Sequence, residues 1–214
     1  MPPDPTSIAE AFRNEGYAVI RGLVPAERVA KLRGHLDARA KAGNTMIAGD
    51  DLVRNTPTVY GDSEVDALMQ DIKPSIEGYT RLRLYPTYSY ARIYKNGDVL
   101  EPHRDRPACE ISISLNLGQE PDMPWALYIG DRDAPFAAIL RPGDVLLYKG
   151  VELTHWRDAY EGTRLFQVFM HYVDADGPHA GEKFDRRAAL GSAFAPEMTG
   201  VLTSLMLPTK LTER

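Results

Sequence analysis

Alternation dominates the second half of the chain. From Thr87 onward, Tyr88, Tyr90, Arg92 and Tyr94 alternate with Ser89, Ala91 and Ile93, the period-two pattern of a strand whose two faces meet different surroundings. A turn at Asn96-Gly97 leads into a second strand ending in Pro102-His103-Arg104-Asp105. Cys109 to Leu117 follows, with Ile111, Ile113, Leu115 and Leu117 on one face and Ser112, Ser114 and Asn116 on the other. Further extended stretches are expected at Trp125–Ile129, Phe136–Leu140, Val145–Tyr148, Leu153–Asp158 and Arg164–Val173, with Gly118–Pro124, Arg141-Pro-Gly-Asp144 and Tyr160-Glu-Gly-Thr163 as turns.

The first half reads differently. Pro5-Thr6-Ser7 is placed to cap a helix through Arg13, with Gly16 ending it and Tyr17–Ile20 forming a brief strand. Val29, Leu32 and Leu36 recur at helical spacing between Glu27 and Ala42, so this helix presses an apolar stripe on the sheet. A further helix starts at Ser63, carried by Val65, Leu68, Met69 and Ile72, with Pro74 expected to interrupt or kink it before Tyr79. Residues 44–62 have no clear period and read as a surface loop. After Val173 a polar loop is expected to Arg187, then a short helix within 188–214.

About eight short strands preceded by helices, with no helical segment between them, describe a sandwich or jelly-roll barrel rather than a parallel βαβ sheet. The expected organisation is an N-terminal helical and loop region at 1–86 packed on the core, a catalytic core at 87–173, and a C-terminal extension at 174–214.

Composition narrows the class. A chain of 214 residues with 43% hydrophobic and 26% charged residues is an ordinary globular one. Its net charge of −5 disfavours a broad nucleic-acid footprint. The start Met1-Pro-Pro-Asp-Pro has no basic-then-apolar pattern and no stretch is long enough to span a membrane, so no secretory signal and no membrane partner are expected. Cys109 is the single cysteine, which excludes an intrachain disulfide and a thiolate-rich metal site, and fits a cytoplasmic location.

The chemistry centres on His103 and Asp105. One intervening residue turns both side chains to the same side of an extended segment. With His155 from a distant strand they would make a two-His, one-carboxylate face, which suits Fe(II) and leaves three adjacent positions open. Two of these can take a bidentate 2-oxo acid and the third dioxygen. Arg164 opens the next strand, and its planar fork suits the far carboxylate of such an acid. Tyr94 can donate its hydroxyl to the same group. Arg92, Arg104 and Arg106, with Tyr90, are candidates to contact a substrate carrying an anionic group; surface ion pairs are the plainer role for the arginines and core packing for Tyr90. Glu152 and Asp158 are candidate acceptors behind the imidazoles. Trp156 is expected to point away from His155, and His171 to be a packed or hydrogen-bonded residue.

Residues 88–173 resemble the double-stranded β-helix core of the 2-oxoglutarate and Fe(II)-dependent dioxygenases, closest to the prolyl-4-hydroxylase-like branch. The resemblance rests on His103-x-Asp105, the distant His155, the basic Arg164, and Tyr94 and Gly97 upstream of the first His. It implies an all-β, cupin-like jelly-roll core with flanking helices, with His103, Asp105 and His155 holding Fe(II). It also implies Arg164, Tyr94 and Asn116 around 2-oxoglutarate, O2 as cosubstrate, and hydroxylation of a C–H bond with release of succinate and CO2. An Arg where prolyl hydroxylases commonly carry Lys departs from that branch. A small metabolite or amino acid is the expected substrate, and a homo-oligomer is compatible with the sequence. The alternatives are a peptidyl (prolyl-type) hydroxylase, a nucleic-acid demethylase, and a cupin-like metal isomerase or non-catalytic jelly-roll binding protein.

Overall fold

The computed structural model describes residues 4–43 and 47–191. The short helix expected within 188–214 lies almost wholly outside them. Three helices come first: α1 (Pro5–Glu15), α2 (Ala26–Lys41) and α3 (Ser63–Thr80). Interleaved with them are β1 (Tyr17–Ile20), β2 (Ile47–Gly49) and β3 (Arg54–Tyr60). Eight strands then build the core: β4 (Leu84–Lys95), β5 (Leu100–His103), β6 (Ile111–Glu120), β7 (Leu127–Ile129), β8 (Phe136–Ala138), β9 (Val145–Tyr148), β10 (His155–Arg157) and β11 (Arg164–Asp174).

These strands form two antiparallel sheets. The larger has the order β1-β9-β6-β11-β4-β3-β2, and the smaller β5-β10-β7-β8. From β4 to β11 the chain passes repeatedly from one sheet to the other, with only β7 and β8 consecutive in the same sheet, as in a jelly roll. Residues 44–62 are not a plain loop: β2 and β3 pair with each other, and β3 pairs with β4 to extend the large sheet. Nor does Pro74 end α3, which runs on to Thr80 and is capped at its start by Asp62 accepting from Glu64 and Val65 N–H. Asp4, rather than Thr6 or Ser7, caps α1.

Period-two alternation divides the large sheet into two faces. Ile111, Ile113, Leu115 and Leu117 of β6, with Phe166, Val168 and Met170 of β11, pack against Leu32 and Leu36 of α2 and Val65, Met69 and Ile76 of α3. The opposite face meets the small sheet through Tyr94, Leu165, Leu146 and Tyr148, against Leu100, Leu127 and Ile129. The helices therefore close one side and leave the space between the sheets for polar chemistry. Among the described residues no helix is long and apolar enough to cross a membrane.

Candidate active site

The sheet pairing brings the distant histidine home. β5 and β10 are antiparallel neighbours with His103 opposite His155, and the imidazole centroids lie 4.2 Å apart. Asp105 follows β5, its backbone N–H held by the Gly150 carbonyl at 2.9 Å. Its Oδ1 is 3.6 Å from Nε2 of both histidines. The Nδ1 atoms of His103 and His155 face the carbonyls of Glu101 (2.8 Å) and Leu153 (3.1 Å). A carbonyl only accepts, so each Nδ1 carries the proton and each Nε2 lone pair is aimed beside the carboxylate.

This donor chemistry fits a divalent metal: two neutral imidazoles and one carboxylate, all buried or nearly so, converging from one side. The carbonyls do the orienting that the sequence assigned to Glu152 and Asp158. Glu152 instead pairs with Lys149 at the surface, and the Asp158 carbonyl accepts from the Trp125 indole.

Burial and charge tune the set. Burial favours a neutral Asp105, but the imidazoles of His155 and His103 outweigh it and hold the carboxyl well below the usual range. Burial, and then the neighbouring His103, push His155 down to about 4, so at neutral pH it is an uncharged ligand. Asp105 Oδ2 accepts from the Ser112 hydroxyl (3.1 Å), whose oxygen also meets His171 Nδ1 at 2.9 Å. Burial pushes His171 down to about 4 as well. A second grouping of Asp105, Cys109 and His171 exists, but it shares Asp105 with the first, and burial pushes the Cys109 thiol upward, away from the thiolate that binds metals.

The cavity beside the metal set is lined by Leu52, Arg92, Leu100, Leu127, Tyr148, Phe169 and His171. Arg92 lies on β4, its guanidinium on Asp50 and 3.2 Å from the Tyr94 hydroxyl. Tyr90 is on the same face, its hydroxyl 3.1 Å from Asp50. Tyr94 is fully buried beside them.

Six expected site residues do not line this cavity: Tyr90 and Tyr94 stand beside Arg92, and four others lie elsewhere. Arg164 points the other way and forms an ion pair with Asp37 of α2, its guanidinium 4.6 Å over Phe166. The cause is strand alternation: Arg164 goes with Phe166, Val168 and Met170 to the helix side, while Leu165, Gln167, Phe169 and His171 face inward. Asn116 is inward-facing but its amide is spent on a turn, donating to Leu140 O (2.8 Å) and Gln119 Oε1 (3.1 Å) and accepting from Gly118 N–H. Arg104 is exposed. Arg106 forms a two-pronged bond to Asp185 at 2.7 and 2.8 Å. Trp156 points away from His155, as expected, and stacks on Tyr128.

The sequence reading passed over Arg157. It is 2% exposed, 4.4 Å over the Trp125 ring and 5.8 Å over Tyr94, and burial pushes it down to about 10. The signal was available: a side chain two residues after an inward His155 must also point inward.

A two-His, one-carboxylate set between the sheets of a jelly roll is the architecture of the 2-oxoglutarate and Fe(II)-dependent oxygenases, and the chain has the fold of that superfamily. No family model and no curated protein sequence matches it. Solved structures do. The epimerase SnoN from nogalamycin biosynthesis, described as non-haem and alpha-ketoglutarate-dependent, aligns over 90% of this chain and 93% of its own with a TM-score of 0.70 and 16% identity. A Pseudomonas putida prolyl-4-hydroxylase aligns over 80% of this chain and 99% of its own, with a TM-score of 0.65 and 15% identity. The carbocyclase SnoK, also from nogalamycin biosynthesis, aligns over 91% of this chain and 97% of its own, with a TM-score of 0.63 and 14% identity.

Proposed function

We propose that the chain is a non-haem Fe(II) and 2-oxoglutarate-dependent oxygenase that hydroxylates a C–H bond of a small metabolite or amino acid. The observation that carries this is the convergence of His103, Asp105 and His155, with both Nε2 lone pairs free, on a cavity whose wall includes Arg92, paired with Asp50. Bound Fe(II) and 2-oxoglutarate supply the oxidising power for C–H cleavage, with succinate and CO2 released.

The chain's residues do the rest. His103 and His155 would hold the metal through their Nε2 atoms and Asp105 through its carboxylate. Ser112 fixes the second carboxylate oxygen of Asp105, so its first oxygen keeps its aim. Leu52, Leu100, Leu127 and Phe169 exclude water from the reacting centre. Arg92 and Asp50 form a buried pair at the cavity wall, where a substrate carboxylate or ammonium would find an opposite charge.

Kinship of fold with an epimerase and a carbocyclase supports a second outcome on the same machinery: inversion at carbon or ring closure in place of hydroxylation. A screen of small acids and amino acids for stimulated succinate release, followed by product mass, separates them. Gain of one oxygen supports hydroxylation, an unchanged mass epimerisation, and loss of two hydrogens desaturation or ring closure. No 2-oxoglutarate turnover by the Fe(II) protein, with or without any of these compounds, would count against the oxygenase reading itself.

A further inference from the structure

Arg164 faces α2, so the inward side of β11 offers no cation to a dicarboxylic cosubstrate. We propose that Arg157, on the strand of the distal histidine, takes the far carboxylate of the 2-oxo acid. This rests on the oxygenase reading above and names the residue by which that site selects a dicarboxylate.

Three observations carry it. First, Arg157 is buried, and among the described residues no carboxylate forms an ion pair with it. Its Nη1 donates to the Trp125 carbonyl at 2.9 Å, its Nη2 makes a long 3.4 Å contact with Gln167 Oε1, and its Nε has no partner. Nearby, Arg92 and Arg106 each sit on an acid, Asp50 and Asp185. A guanidinium keeps its charge when buried, so a site that leaves one without an anion is built for an anion that arrives from outside.

Second, the spacing is right. His155 and Arg157 are two residues apart on β10 and share a face. That is about 6.6 Å along the strand, the length scale of a five-carbon dicarboxylate anchored by its oxo-acid end at the metal. Third, the fork is held in place. Trp125 and Tyr94 lie against it, and Tyr94 also accepts from Arg92, which leaves the phenolic proton free to be given to a carboxylate. Arg92 is the competing cation, but Asp50 already neutralises it.

Calorimetric titration of the full-length protein loaded with Mn(II) in place of Fe(II) tests this without turnover. The ligands are 2-oxoglutarate and 2-oxobutyrate, which lacks the second carboxylate. Arg157→Gln is expected to weaken 2-oxoglutarate roughly ten-fold or more while leaving 2-oxobutyrate within about two-fold, with Arg157→Lys in between. Mn(II) affinity stays as in the wild type. Equal 2-oxoglutarate affinity in wild type and Arg157→Gln overturns the assignment, as does equal weakening of both acids, or a selective loss found in Arg92→Gln or Arg164→Ala instead. If Arg157→Gln fails to fold, Arg157→Lys decides by the same ratio. Wild-type protein that binds Mn(II) but neither acid overturns the oxygenase reading, and Arg157 with it.

Discussion

Asp105 shows how one side chain is fixed from several directions. Its backbone is tied to Gly150, Oδ2 to Ser112, and Oδ1 is left facing two imidazole nitrogens. Replacing Asp105 or His155 by Ala removes one of three ligands, and each variant is expected to lose metal affinity by about 100-fold or more with the fold retained. Metal content after equilibrium dialysis, beside the circular dichroism spectrum, checks both halves of that expectation. Arg164→Ala is expected to cost at most about 1 kcal/mol, because its ion pair with Asp37 is partly exposed. It should leave the affinity for 2-oxoglutarate unchanged, and a binding isotherm beside a denaturation curve reads both. The metal set was legible in the sequence because His-x-Asp on an extended segment fixes a shared side. Arg164 was not, because Leu165 beside Phe166 gives no cue to which one looks inward, and only Gln167 and His171, further along the strand on the face of Leu165, mark the polar side.

At the scale of elements, the turn before β10 matters as much as the strands. A Cβ on Gly150 would stand on top of Asp105 Oδ2, 2.5 Å from the Cys109 carbonyl and 2.8 Å from Ser112 Oγ. Gly150→Ala must therefore displace the carboxylate or its support, and reduced metal content in a protein that still folds is the expected result. The helices serve the site from behind. Leu36 of α2 is fully buried against the sheet, so Leu36→Ala is expected to destabilise by about 2–5 kcal/mol, measurable by urea denaturation. Strand alternation and helical stripes made β4–β11, α2 and α3 readable. Residues 47–60 were not, because β2 is only three residues long and Pro57 interrupts the pattern of β3. Such a pair is set by the neighbouring β4, not by its own sequence.

The whole molecule places two histidines, His155 and His171, in a buried space where burial lowers both from the ordinary 6.5 to about 4. The unfolded chain therefore binds more protons than the folded one in that window, and stability is lost as pH falls from about 6.5 towards 4. The metal-free protein should accordingly show a lower thermal midpoint at about pH 5 than at about pH 7.5, and a flat profile would contradict the buried neutral imidazoles. The same enclosure explains why the substrate was not legible. The cavity wall is assembled from β4, the small sheet, β11 and the segment after β2, and its shape exists only once the two sheets have closed.

Adding 2-oxoglutarate to the anaerobic Fe(II) protein asks whether the three side chains and the cavity work as one site. A visible charge-transfer band that saturates with 2-oxoglutarate, and that is lost in Asp105→Ala but kept in Arg164→Ala, is the expected outcome. Protein that takes up no iron, or iron-loaded protein whose spectrum does not respond to 2-oxoglutarate, would contradict it.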